Sequence, residues 1–146
     1  MSKSNTWEND LLLLLFNNTN ASLIGDATGL RGATTVGSLY VSLHTADPGE
    51  AGTQSTSEAT YGGYARVAVA RTAGGWTVST NTVVNTAAIT FPACTSGSST
   101  VTFFGVGTDV SGTGKLLYSG ALSPSIAVAT GITPQIPASG ATISED

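Results

Sequence analysis

The spacing of apolar positions changes once along the chain, from a helical rhythm before residue 17 to a two-residue rhythm after residue 38. In WENDLLLLLF, Trp7, Leu11, Leu14 and Leu15 fall on one face of a helix predicted over residues 6–16. Leu12, Leu13 and Phe16 widen that face beyond the single stripe of a surface helix. Asn5 is placed to cap the helix, and Glu8 three residues on completes a capping-box-like pair. Glu8 and Asp10 complement the positive end of the helix dipole, and NNTN stops the helix. So much apolar surface has two outlets: a groove of its own domain, or another subunit.

Residues 19–37 carry four glycines and no sustained period, which predicts a long connection. A connection of that length is commonly functional or ordered by a partner. From residue 38 the pattern is β throughout. Leu39, Val41 and Leu43 alternate with Tyr40, Ser42 and His44, which predicts a half-buried strand with His44 on the outer face. Further strands are predicted over 66–71, 76–80, 83–91, 101–108, 115–122, 125–130, 132–136 and 141–144, separated by Gly, Pro, Ser and Asp turn residues. Roughly seven to nine short strands at about 8–12-residue spacing, with a single helix, predict a mainly β fold, a β-sandwich or a jelly roll. Two segments follow: an N-terminal helix and extended arm over 1–37, and a β domain over 38–146.

Length and charge narrow the function classes. A chain of 146 residues suits one core. With 5 basic against 9 acidic residues, the net charge of −4 offers no basic field for nucleic acid. LLLLLF is far shorter than the roughly 20 residues of a spanning helix, and Glu8 and Asp10 stand where a secretory leader carries positive charge, so no membrane association is expected. One cysteine, Cys94, forms no internal disulfide, and a reducing cytoplasm is the expected site of synthesis. The NNT and NAS tripeptides then read as chance glycosylation matches.

Little here points to chemistry. His44 is the lone histidine, fifty residues from the lone cysteine, so neither has the spaced partners of a zinc site. Asp47, Pro48 and Gly49 fit a turn, in which Asp bonds the backbone, Pro fixes φ and Gly admits positive φ. Cys94 has no neighbouring base, the acids lack the alternating spacing of a calcium loop, and no nucleophile-elbow or phosphate-binding motif occurs. The chain is therefore expected to be no enzyme and to hold no cofactor or metal. Neither tryptophan offers a clear sugar platform, which disfavours a carbohydrate-binding or hydrolytic domain. Binding to a partner protein is expected instead from the apolar helix residues Trp7, Leu11, Leu14 and Leu15. Tyr61 and Tyr64, flanking two glycines, form a second candidate patch.

The order of these elements carries a resemblance. WENDLLLLLF, LYVSLHTADPGEAG, SEATYGGYARVAV, NTAAITFPA, FFGVGT, KLLYSGAL and the closing ATISED together resemble a family of small bacteriophage virion proteins often labelled phage tail fibre proteins. Similar small β-sandwich or jelly-roll proteins decorate or cement icosahedral phage heads. The resemblance spans nearly the whole chain. It implies a structural protein made in the host cytoplasm and built into the virion as a homo-oligomer. One implied role is capsid decoration, bound to the major capsid protein at the capsid surface. The alternative is a tail fibre or minor tail protein.

Overall fold

The computed structural model describes residues 2–145. Helix α1 (Asn5–Asn17) begins one residue before the predicted start. Ser4, extended at φ −81° and ψ 147°, is the N-cap, and its Oγ accepts from Trp7 N at 3.4 Å. Its hydroxyl satisfies a donor that the first turn would otherwise leave orphaned, so Asn5 lies inside the helix and is not its cap. Asn18 ends the helix in the left-handed conformation, φ 55° and ψ 27°, and returns its N–H to Leu13 O. Asparagine reaches that region more cheaply than bulkier side chains do.

Among the described residues nine strands follow: β1 (Ser38–His44), β2 (Val67–Ala70), β3 (Trp76–Ser79), β4 (Thr82–Asn85), β5 (Ile89–Thr90), β6 (Ser98–Gly107), β7 (Leu116–Ala129), β8 (Gln135–Ile136) and β9 (Thr142–Ser144). They pair antiparallel in three sheets of order β2-β1-β6-β7, β3-β4-β9 and β5-β8. The fold is mainly β with one N-terminal helix, consistent with a β-sandwich.

Beyond shifted ends, two predicted strands are divided differently. The run 83–91 divides into β4 and β5 because Asn85 turns the chain: its buried amide donates to Ala87 O and Pro137 O, both at 2.8 Å, and its Oδ1 accepts from Ala141 N at 2.8 Å. The runs 115–122 and 125–130 instead join as the single strand β7, which follows β6 along its length across register shifts at Val101/Phe103 and Val106/Gly107. The first shift also changes which face points inward, so Val101 is buried on one side of it and Phe104 and Val106 on the other.

The core gathers Leu39, Val41 and Leu43 of β1, Phe104 and Val106 of β6, and Trp76 of β3. Leu12 and Phe16 of α1 belong to the same core and are fully buried. The helix is thus packed into the same core as the strands that follow residue 37. On the helix the fully inward line is Glu8, Leu12 and Phe16, at i, i+4 and i+8, while Trp7, Leu11, Leu14 and Leu15 lie beside it and are half-buried.

Candidate assembly surface

The sole histidine has a structural role, and its surroundings differ from the expected open face. Odd positions of β1 enter the core, but the even positions Ser42 and His44 are also buried, beneath the segment 45–58. His44 Nδ1 donates to Thr56 O at 2.8 Å, leaving Nε2 to accept from Ser42 Oγ at 2.8 Å. Gly105 of β6 makes room for this pair: a Cβ there would stand 2.6 Å from His44 Nε2 and 2.7 Å from Ser42 Oγ. Gln54 lies over the same sheet, its side chain donating to Tyr40 O and accepting from Asp109 N.

Burial holds the His44 pKa below the ordinary histidine value, against the opposing pull of the Thr56 carbonyl and the Glu58 charge. The unfolded chain therefore takes up a proton at His44 that the folded ring resists. Stability contributed by neutral His44 is complete above about pH 6.5 and is lost as pH falls below it. Denaturation midpoints are expected to fall between about pH 6.5 and pH 5, above the main carboxylate titrations. His44→Gln should lower the whole curve and flatten it across that window; an unchanged slope would show that another group titrates there.

The two tyrosines are placed differently from an exposed patch. Tyr61 is buried and donates from its hydroxyl to Pro92 O at 3.0 Å. Tyr64 packs edge-on against Tyr61 at 5.3 Å, its hydroxyl donating to Glu58 Oε1 at 2.8 Å and accepting from Leu43 N at 3.0 Å. Burial pushes both phenols above their ordinary pKa. Their contacts are internal because the chain between the His44–Glu58 bridge and β2 leaves β1 and pairs at Gly62 with Ser96, a long-range placement that the Tyr-Gly-Gly-Tyr spacing does not encode.

Beside Tyr64, Arg66 closes on both oxygens of Glu58, Nε to Oε1 at 2.7 Å and Nη2 to Oε2 at 2.8 Å. It also donates to Asp109 O at 2.9 Å and Gly112 O at 2.6 Å. The Glu58 hydrogen bonds raise the Arg66 pKa still further, so this pair stays charged. Cys94 is buried against the carbonyls of Ser96 and Gly97. Asp47 Oδ1 accepts from Gly49 N at 2.9 Å, as the turn chemistry predicts. Among the described residues no three His, Cys, Asp or Glu side chains converge on a point that could hold a metal.

What stands out to solvent is the connection 19–37. Leu23 is 82% exposed, and Ile24, Leu30 and Val36 are exposed beside it in the chain. Among the described residues only Val110 and Ile132 are other large apolar side chains so exposed. Ordinarily such side chains would collapse or leave the segment loose. Here the backbone is fastened: Ala21 and Leu30 exchange hydrogen bonds at 2.9 and 2.8 Å. Asp26 Oδ1 accepts from Thr28 N and Gly29 N and from the Thr28 hydroxyl, which turns the tip. Asn18 clamps Ala33 from both sides, and Asn20 holds Gly32 N at 3.0 Å. Leu23 itself sits at φ 68°, a conformation that is costly for leucine.

Arg71 ties this surface to the sheet. Its guanidinium donates to Leu15 O at 2.6 Å, Leu14 O at 2.7 Å and Val36 O at 3.3 Å. One side chain thus satisfies two carbonyls at the end of α1, where a cation also suits the helix dipole, and one at the end of the connection. Of the predicted partner-binding residues, Leu14 and Leu15 are brought next to this anchor, whereas Leu11 and Trp7 lie about one and about two turns nearer the start of α1. The sequence marks the connection by its length, its four glycines and its lack of a period. Four large apolar residues in a glycine-bearing, unpatterned stretch were the further signal.

The chain thus combines a mainly β body, internally bonded His44, Tyr61 and Tyr64, and an ordered loop that carries exposed apolar side chains. Residues 2–144 match the family described as podophage GP4 fiber I protein gp80, and the chain belongs to that family. It is thereby a phage virion structural protein. No curated protein matches the chain.

Proposed function

We propose that this chain is a non-enzymatic fibre component that assembles into the virion in several copies and docks on a neighbouring subunit through the connection 19–37. The observation that carries the reading is the loop itself: Leu23, Ile24 and Leu30 are exposed on a backbone already fixed by its own hydrogen bonds. A preformed apolar surface binds without the ordering cost that a loose segment would bear. The half-buried Leu14 and Leu15 flank it at the helix end. The family description supports a fibre position.

A second reading, decoration of the head on the major capsid protein, draws on composition. A surface with few charges, rich in Ser, Thr and Gly, lets many copies lie close with little mutual repulsion. Copy number against the major capsid protein separates the two: a simple lattice fraction marks decoration, and a few copies per particle mark a fibre.

Docking is tested by Leu23→Asn. Asparagine suits the left-handed backbone better than leucine and removes the most exposed apolar side chain. The isolated chain is expected to melt no lower than the wild type, while incorporation into particles falls by about tenfold or more, as for a contact worth at least about 1.4 kcal/mol. Unchanged incorporation would remove the loop from the interface.

A further inference from the structure

The edges of β2 and β5 border an open groove of about 300 Å³. Its floor is apolar, formed by the half-buried Val67 and Val69 and by Ile89, and no charged residue lines it. Hydrogen-bond parity fixes which backbone groups look into it. Arg71 N donates to Gly37 O at 3.1 Å, so in the register that follows Val69 and Val67 face β1, and Ala68 and Ala70 turn their N–H and C=O groups away from it. On the other wall Phe91 N donates to Pro134 O at 2.9 Å, so Ile89 faces β8 while Ala88 and Thr90 face outward. Of these outward groups, Ala70 O is taken by Thr72 N; among the described residues no backbone hydrogen bond from another element reaches the rest.

Two sheet edges with free backbone groups on either side of an apolar floor specify the shape and chemistry of an occupant. It must be extended, to meet both rows of donors and acceptors at strand spacing. One face must be apolar, to cover Val67, Val69 and Ile89. Charge must be absent along it, since the lining offers no counterion and burying an unpaired charge is costly. The small side chains of Ala68, Ala70 and Ala88 leave the edges open to close approach. The strands of this chain are already taken up in its three sheets. We infer that the groove accepts one extended, uncharged strand from a different virion subunit, which would join the β2-β1-β6-β7 and β5-β8 sheets into one.

The test is residue-resolved hydrogen exchange on the chain free and assembled in the particle. A bridging strand protects both walls together, so the Ala68 and Thr90 amides are expected to slow by about a hundredfold or more on assembly. Protection of one wall alone, or of neither, overturns the inference. Protection of both in the free chain, rising with its concentration, makes the donor a second copy and overturns the assignment to a different subunit. A variant gives an independent check. Ala88→Lys places a charge on an exposed wall residue, so the isolated chain should melt as the wild type while incorporation falls by about tenfold or more; undiminished incorporation counts against the groove. This substitution leaves the connection 19–37 untouched and Leu23→Asn leaves the groove untouched, so the two interfaces fail separately.

Discussion

Arg66→Ala is expected to lower the free energy of unfolding by about 3 kcal/mol. The substitution removes four hydrogen bonds at once: two to Glu58, one to Asp109 O and one to Gly112 O. The two carbonyls belong to the stretch between β6 and β7, so the same guanidinium closes that stretch against the end of β2. The Arg66 side chain is only 2% exposed, whereas that of Glu58 is 16% exposed. A bereft Glu58 therefore keeps the Tyr64 hydroxyl and draws some water, which places the loss at the lower end of the range for a broken buried pair. Arg66→Lys should restore only part of it, because one ammonium cannot meet both carboxylate oxygens and both carbonyls. Denaturant titration decides the matter. A loss below about 1 kcal/mol would rank the pair with exposed salt bridges and refute its role as a fastening.

The same residue shows how far the sequence could be read. Arg66 and Arg71 both fall in a predicted strand, and the alternation there does place Val67 and Val69 inward. Nothing local tells that Arg66 meets carbonyls 43 and 46 residues away, or that Arg71 caps a helix 56 and 57 residues earlier. Period-2 patterning likewise gave the inward face of β1 but left its even positions outward. Ser42 and His44 are buried because residues 45–58 fold back across them, and coverage by a loop leaves no periodic trace. Asn85 interrupts an apolar run from within by bonding Ala87 O, Pro137 O and Ala141 N, two of them contacts across more than fifty residues. Local rules found the helix, most strands and the Asp47 turn. The polar residues that lock those elements together answer to distant backbone groups, and those are set only once the chain has folded.

The helix gives the clearest case of two readings that a single measurement separates. Excess apolar surface predicted either a helix packed in its own domain or one bound to another subunit. The structure packs it at home: Phe16 meets the edge of Trp76 at 4.9 Å and 67°, lies 5.8 Å from Tyr118, and with Leu12 is fully buried. Phe16→Ala is expected to cost about 3–5 kcal/mol, the transfer of a large aromatic plus the cavity it leaves. Leu11→Ala, on the half-buried flank, should cost markedly less. The consequence reaches beyond stability, because Asn18 and Asn20 hang the connection 19–37 from the end of α1 and Arg71 grips the last helical carbonyls. Loosening Phe16 should thus reduce both folding stability and incorporation, whereas Leu23→Asn should reduce incorporation alone. If Phe16→Ala costs the isolated chain no more than about 1 kcal/mol, its aromatic contacts are not what holds the helix. The helix would then be free to leave the sandwich and pack on another subunit, through the face formed by Trp7, Leu11, Leu14 and Leu15.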